Sequence, residues 1–383
     1  MKKITISFCI LLAAISFSSC KKSSHSNPTN TDTTINYTVP TTYNFTHVND
    51  TAQLELIAMA DQIVAAINLG NVVGGTVVST QQLTDMFNNV NDRFNDSVYN
   101  LNGSGVSLAN NCPAAAKTDI LNYFDSIGVY SQSTAVADSG VAGVGVSLAN
   151  KKLLLSPTGI FYSQVVKKTI MGVFSYQIAN AYMADSINST VDTVVLARYW
   201  DAAFGYFGVP VNFPTNLTGL KYLGSYCNQV NAGLNSNASI MNAFLKGRAA
   251  ISNNDIATMK IQAGILIATF DSLDAAAIVQ EMHETNTNIN AGDAVAAYGT
   301  LSESIGFVRN LKYNTSATRV ISNTQFAQLE ALYDNVNPGN PNLYSFVGVN
   351  AGLTTTQIEA KTAAIEQFID NVYGFSSTES PLL

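Results

Sequence analysis

Arg198-Tyr199-Trp200-Asp201-Ala202-Ala203-Phe204-Gly205-Tyr206-Phe207-Gly208-Val209-Pro210 decides how this 383-residue chain is read. It carries the only tryptophan and the densest group of aromatic residues. The spacing predicts the last turns of a helix. Gly208 can close it in a left-handed conformation, and Pro210 follows where a finished helix commonly meets proline. Tyr199, Ala202, Ala203 and Tyr206 stand at i, i+3, i+4 and i+7, so they share one helical face.

Working outward, helical periodicity continues in both directions. Gly159 to Ala184 is the longest helical stretch of the first half. Val166, Ile170 and Val173 form one stripe, and Met171, Phe174 and Ile178 a second, as in a helix buried on several sides. Ile57, Ala60, Val64 and Ile67 mark an earlier helix. Ser79 with Gln82 reads as a capping box before Leu83, Met86, Phe87 and Val90. A third helix is expected from Ala114 to Tyr130, with Ile120, Tyr123, Phe124 and Ile127 inward. Residues 131–150, rich in Gly, Ser and Val, read as irregular. Helices follow over Leu220–Leu234, Ile240–Ile251, Asp255–Thr285 with a kink near Asp271-Ser272, Phe326–Val336 and Gln357–Tyr373. No block of strand periodicity stands out, so the fold class expected is all-α.

The opening stretch resembles a family of bacterial lipoproteins catalogued as domain of unknown function 4856. The family pattern reads His-Trp-Asp-Glu-Ala-Phe-Gly-Tyr-Phe-Gly before a proline. Trp200, Asp201, Ala203, Phe204, Gly205, Tyr206, Phe207, Gly208 and Pro210 match it; Tyr199 replaces the His and Ala202 the Glu. A His and a Glu at i and i+3 could hold one cation from a single helix face. The same spacing occurs in the imelysin-like helical proteins of iron and haem uptake. Phe161 stands where the family is expected to show a Glu, and Leu301-Ser302-Glu303-Ser304 where it shows Leu-Ser-Glu-Gly. The resemblance implies two packed helical bundles of the imelysin-like sort, dividing near residue 188 within a domain of residues 49–375. It also implies a retired metal position, its place filled by the Tyr199 ring, and a ligand cleft for which Tyr199, Trp200, Asp201, Tyr206, Ser302 and Glu303 are the candidates.

The ends of the chain carry its address. Lys2 and Lys3 precede the apolar run Ile4–Phe17, which is too short to span a bilayer as a helix and suits residues 1–19 to a signal peptide. Ser18-Ser19-Cys20 resembles a lipobox, so Cys20 is the expected lipidation site. Several acyl chains, at roughly 0.8 kcal/mol per buried CH₂, make a stable anchor where one does not. Residues 20–48 are rich in Ser, Thr and Asn and read as a flexible tether. No acidic run follows Lys21-Lys22, which favours the periplasmic face of the outer membrane. Residues 376–383 form a C-terminal tail.

Composition excludes some functions. Hydrophobic residues make up 47% and charged residues 12%, with a net charge of −7 that loss of Lys2 and Lys3 would make more negative. Such a chain repels phosphate backbones, so no nucleic-acid partner is expected. The three histidines, His25, His47 and His283, give no His-Glu-x-x-His. Adjacent helical positions diverge by about 100°, so neither Glu281 nor Glu284 can easily share a ligand with His283. No metal ligand set, cofactor or catalytic residue is assigned. Asp201 and Glu303 are the best carboxylate pair, either sharing one cleft as acid and base or pairing separately with Arg198 and Arg309. Ser302 has no histidine partner in sequence. Cys112 and Cys227 are candidates for a disulfide in an oxidising compartment, or for two separately buried thiols.

The function expected is a non-catalytic cell-envelope lipoprotein that binds an envelope protein or a small ligand, in an iron or haem acquisition setting. The alternative is a metallopeptidase-like or other hydrolytic enzyme using Asp201 and Glu303.

Overall fold

The computed structural model describes residues 35–45, 49–188, 192–315, 317–333, 341–348 and 352–383. Cys20, His25, His47, the signal segment and the first part of the tether lie outside them. The elements in order are α1 (Thr51–Asn68), α2 (Thr80–Asn88), α3 (Leu108–Asn111), α4 (Ala114–Tyr130), β1 (Gly143–Val146), β2 (Lys152–Leu155) and α5 (Tyr162–Tyr176). A π-helical segment, Gln177–Met183, then leads into α6 (Ala184–Asn188) and α7 (Thr193–Phe207). The second half contains α8 (Tyr222–Gln229), α9 (Asn231–Leu234), α10 (Ser236–Ser252), α11 (Ile256–Asn290), α12 (Ala294–Tyr313), α13 (Asn323–Ala331), α14 (Leu343–Val347) and α15 (Thr355–Tyr373). The fold is all-α.

α11 is the axis of the molecule. Its 35 residues span about 52 Å at 1.5 Å each. Every residue from Phe270 to Val279 is buried, so the helix is enclosed on all sides there. That enclosure explains the shift in its apolar face near Asp271-Ser272, which sequence reads as a kink; the helix runs through unbroken. α11 is long and apolar enough to cross a bilayer, yet 67% of its most apolar window is buried inside the body, as in a core helix.

α12 lies parallel to α5, and small residues set the spacing. A Cβ on Gly172 would meet Asn310 Oδ1 at 2.0 Å, and one on Gly306 would meet Lys168 Cβ at 2.5 Å. At the start of the pair the Ser302 hydroxyl accepts the Phe161 backbone N–H, which precedes the first turn of α5, at 2.9 Å. Helices from either side of residue 188 interleave, α5 on α12 and α1 on α7. The buried apolar side chains join into one continuous cluster from Tyr43 to Phe375.

α7 carries the aromatic stretch from Arg198 to Phe207. Asp192 caps its start through Val194 and Val195 N–H, and Gly208 closes it at φ 72°. A Cβ at 208 would also meet Lys221 O at 2.8 Å, so glycine is required twice over. Trp200 is fully buried against α10: its Nε1 donates to Phe244 O at 2.9 Å. Gly247 makes the room, since a Cβ there would fall 2.0 Å from the indole ring.

Three expectations are corrected. Residues 143–155 form an antiparallel hairpin with Gly143 opposite Leu155 and Val146 opposite Lys152. Its alternation, Gly-Val-Gly-Val, is too short and too glycine-rich to stand out as strand periodicity. Ser79 accepts the Gln82 N–H as an N-cap but lacks the reciprocal bond; complete capping boxes occur at Ser322/Gln325 and Thr354/Gln357. Residues 35–45, read as tether, instead pack on the body as a strap. Tyr37, Val39 and Phe45 are half-buried, and Tyr43 is 3% exposed. The Tyr43 ring stacks on Phe204 at 3.8 Å and 4°, and its hydroxyl donates to Asp201 Oδ1 at 2.9 Å. Burial, then the Asp201 charge, raise the Tyr43 phenol, so it stays a donor. Tyr43→Phe is expected to cost about 1.5–3 kcal/mol, the usual worth of a hydrogen bond to a charged group, read as a lower urea midpoint. An unchanged midpoint would mean that Arg248 alone satisfies Asp201.

Candidate functional site

The six sequence candidates do not converge. Tyr199 is half-buried beside Tyr182 of the π-helical segment, ring centroids 5.9 Å apart, and Tyr182 also lies 6.1 Å from Tyr206. Ala202 is 9% exposed on the same face. Aromatic rings therefore cover the surface where a His and a Glu were expected in relatives. Tyr206 is buried and donates to Asn111 Oδ1 at 2.9 Å. Trp200 is core. Ser302 is fully buried, with its hydroxyl donating to Tyr298 O while it accepts from Phe161. Phe161, in the third altered position, precedes α5 and is 8% exposed.

Asp201 and Glu303 belong to two different clusters. Asp201, wholly buried, meets Arg248 Nε at 2.8 Å rather than Arg198, which faces solvent. Burial of this carboxylate is tolerated because both Arg248 and Tyr43 donate to it. Glu303 meets Lys168 Nζ at 2.7 Å rather than Arg309, which pairs with Glu330. An acid–base pair of Asp201 and Glu303 has no shared cleft in which to work.

Of the six, Glu303 lines a cavity. That cleft, of about 320 Å³, lies between α5, α8 and α12, with Gln164, Lys167, Lys168, Lys221, Tyr226 and Glu303 on its walls. Its floor is a hydrogen-bonded tetrad. The Tyr226 oxygen lies 2.6 Å from Lys168 Nζ, 2.9 Å from Glu303 Oε2 and 2.9 Å from Glu281 Oε1. The Lys168 ammonium also sits 4.4 Å over the Tyr226 ring. Proton counting fixes the states. Lys168 donates to the phenol oxygen, and the single phenol proton goes to one carboxylate. The other carboxyl must then bring its own proton. Burial, with the Glu303 charge next, raises Glu281 well above the usual range, which marks it as the neutral partner. Burial alone would raise Glu303, but the Lys168 ammonium, the Tyr226 hydrogen bond and the Lys167 charge together outweigh it and the pKa is lowered. The floor thus holds one cation, one anion and one neutral acid, and its charge closes.

Two groups on the walls remain open. Lys167 is half-buried, and burial together with Lys168 lowers its pKa; among the described residues no carboxylate is bonded to it. Gln164 Oε1 is buried with no hydrogen-bond partner there. At the mouth Lys221 pairs with Asp61 at 2.8 Å, both half-exposed, a pair worth little in water.

The family model described as "Domain of unknown function (DUF4856)" matches residues 40–337. The chain belongs to that family. No curated protein and no solved structure matches it. The matched region includes every residue of the Lys168–Tyr226–Glu303–Glu281 tetrad. Sequence reading reached only Glu303 of these as a site residue. A signal for Lys168 did exist: Lys167-Lys168 are the only charged residues in a helix buried on several sides. Tyr226 gave none.

The remaining candidates are structural. Cys112 and Cys227 are free thiols, so the bridge is not formed: Cys112 ends α3, and Cys227 points to Asn237 Oδ1. Burial pushes both thiols up to about 12. His283 lies 3.6 Å from Glu366 and 3.3 Å from Leu383 O, and ties the C-terminal tail to α11 and α15. No group of three His, Cys, Asp or Glu side chains gathers as a metal site among the described residues.

Proposed function

We propose that this chain is a non-catalytic, lipid-anchored cell-envelope protein that binds a small organic anion in the α5–α8–α12 cleft. One observation carries the reading. The Lys167 ammonium and the orphaned Gln164 oxygen open on one cavity, whose other charges are already paired. A carboxylate would pair with Lys167, and a hydroxyl or amino group on the same ligand would satisfy Gln164. Leaving a buried acceptor unpaired costs about 1–3 kcal/mol, so a ligand that supplies the donor relieves it. The cleft volume suits a small molecule. Binding is favoured over turnover because the polar groups of the floor hold one another. Anchoring through Cys20 on the periplasmic face of the outer membrane rests on the lipobox. The iron or haem setting rests on the imelysin-like resemblance.

Isothermal titration with citrate, glutamate, ferric citrate and haem tests the reading. At least one carboxylate probe should bind, and Lys167→Gln should weaken it at least tenfold with circular dichroism unchanged. Binding of ferric citrate or haem with the same Lys167 dependence would support the iron setting. No binding by any probe, or binding indifferent to Lys167→Gln, would overturn the assignment.

A further inference from the structure

A second, larger cleft opens on another side of the α5–α12 pair. Along α12 the step from Glu303 to Arg309 turns about 240° around the axis, as does the step from Tyr162 to Lys168 along α5. Each helix therefore presents different side chains to the two clefts. The second has a volume of about 500 Å³ and is walled by α4, α12, α13 and the start of α5, within the range of small-molecule sites.

Its α4 wall is a stripe. Asp119, Asn122, Tyr123, Ser126 and Tyr130 stand at i, i+3, i+4, i+7 and i+11, and all line the cavity. The buried stripe of α4 is a different one: Ala116, Ile120, Phe124 and Ile127. Tyr123, expected inward from sequence, belongs to the cleft and is half-buried. The Tyr162 ring, from the first turn of α5, lies 5.5 Å from Tyr123 at 37° and 6.0 Å from Tyr130 at 27°. Three half-buried phenol rings thus make one curved wall. Burial raises all three phenols, so they are neutral and carry their protons.

The charges around this wall are already matched. Arg309 is paired with Glu330, and Lys312 lies 3.5 Å from Asp119, which also accepts from Tyr313 at 2.8 Å. A charged ligand would have to displace one of these partners, whereas a neutral one would not. Flat aromatic faces offer packing to a flat apolar surface. The matched pairs, with Asn122 and Ser126, still have lone pairs and N–H groups to give to hydroxyls. A pyranose ring has this dual character, one C–H face and a rim of hydroxyls.

We infer that the Tyr123–Tyr130–Tyr162 cleft binds a neutral saccharide, stacked on Tyr162 and held at its rim by Asn122, Ser126 and the Arg309–Glu330 pair. The site is independent of the anion cleft.

Titration and saturation-transfer NMR of the folded chain test this, with maltose, cellobiose, mannobiose and N,N′-diacetylchitobiose as neutral probes. Glucuronate and glucosamine are the charged controls. At least one neutral disaccharide should bind, with saturation strongest on the protons of one ring face. Tyr162→Ala should weaken it at least tenfold, while Tyr162→Phe, which keeps the stacking face, should stay within about threefold. Asn122→Ala, on the exposed side of α4, gives a second reading should Tyr162→Ala unfold, and should weaken binding several-fold. Lys167→Gln should leave saccharide binding unchanged. The inference fails if no neutral disaccharide binds, if glucuronate or glucosamine binds more tightly than the neutral sugars, or if neither Tyr162→Ala nor Asn122→Ala weakens binding.

Discussion

Replacing Trp200 by alanine is expected to destabilise the protein by about 3–5 kcal/mol, the usual cost of deleting a large aromatic from a core. The indole is fully buried, its N–H is bonded to Phe244 O, its benzo ring abuts Gly247, and it meets the Phe244 ring in a T-shaped contact. No flexible neighbour can collapse into the space, because α7 and α10 are both held there by the Asp201–Arg248 pair. Urea unfolding followed by far-ultraviolet circular dichroism reads the change, since the variant has no tryptophan. Trp200→Phe should recover part of the loss but not the hydrogen bond. A midpoint for Trp200→Ala corresponding to less than about 1 kcal/mol would show that the surroundings repack after all.

Asp274→Asn is expected to stabilise the protein at neutral and alkaline pH, by an amount that vanishes in mild acid. Asp274 is wholly buried on α11 beside Asn310, and one of its oxygens has no partner among the described residues. Burial raises its pKa from 3.8 to about 7. Between those values the unfolded chain has released the proton and the folded chain has kept it. The native state therefore binds more protons, and stability falls as pH rises. At about 1.4 kcal/mol per pH unit the loss reaches roughly 4 kcal/mol near pH 7 and then levels off. Glu281 and Asp271 are raised by burial as well, so the difference between variant and wild type, measured from pH 4 to 8, isolates the one carboxyl. Parallel stability curves for the two proteins would contradict the assignment.

The sequence made local features legible and left distant pairings hidden. The end of α7 at Gly208 could be read because a left-handed residue followed by proline is written within three positions. The buried stripes of α5 could be read for the same reason. The partners of Asp201 could not. Arg198 is nearest in sequence at helical spacing, but it faces water while Asp201 is wholly buried, and the true partners are 47 and 158 positions away. Glu303 had the right segment and the wrong cation, because the Gly306–Lys168 contact brings α5 within reach. Three aromatic residues and a valine at alternate positions 37, 39, 43 and 45, interrupted by the polar pair Thr41-Thr42, turned the end of the tether into a strap. Their anchoring depends on a surface that exists only after α7 and α10 have packed.

That strap also has a mechanical meaning. A pull on the chain ahead of residue 35 does not reach α1 directly. It first loads the Tyr37 hydroxyl bonded to Asp255, the Tyr43 ring clamped on Phe204, and the Tyr43 backbone N–H donated to Val211 O. These grips attach to the buried face of α7 and to the half-buried Asp255 at the α10–α11 corner. Tension on an anchored N-terminus would be borne in shear by a stacked ring and a charged hydrogen bond. The first helix would be spared from being peeled away one turn at a time.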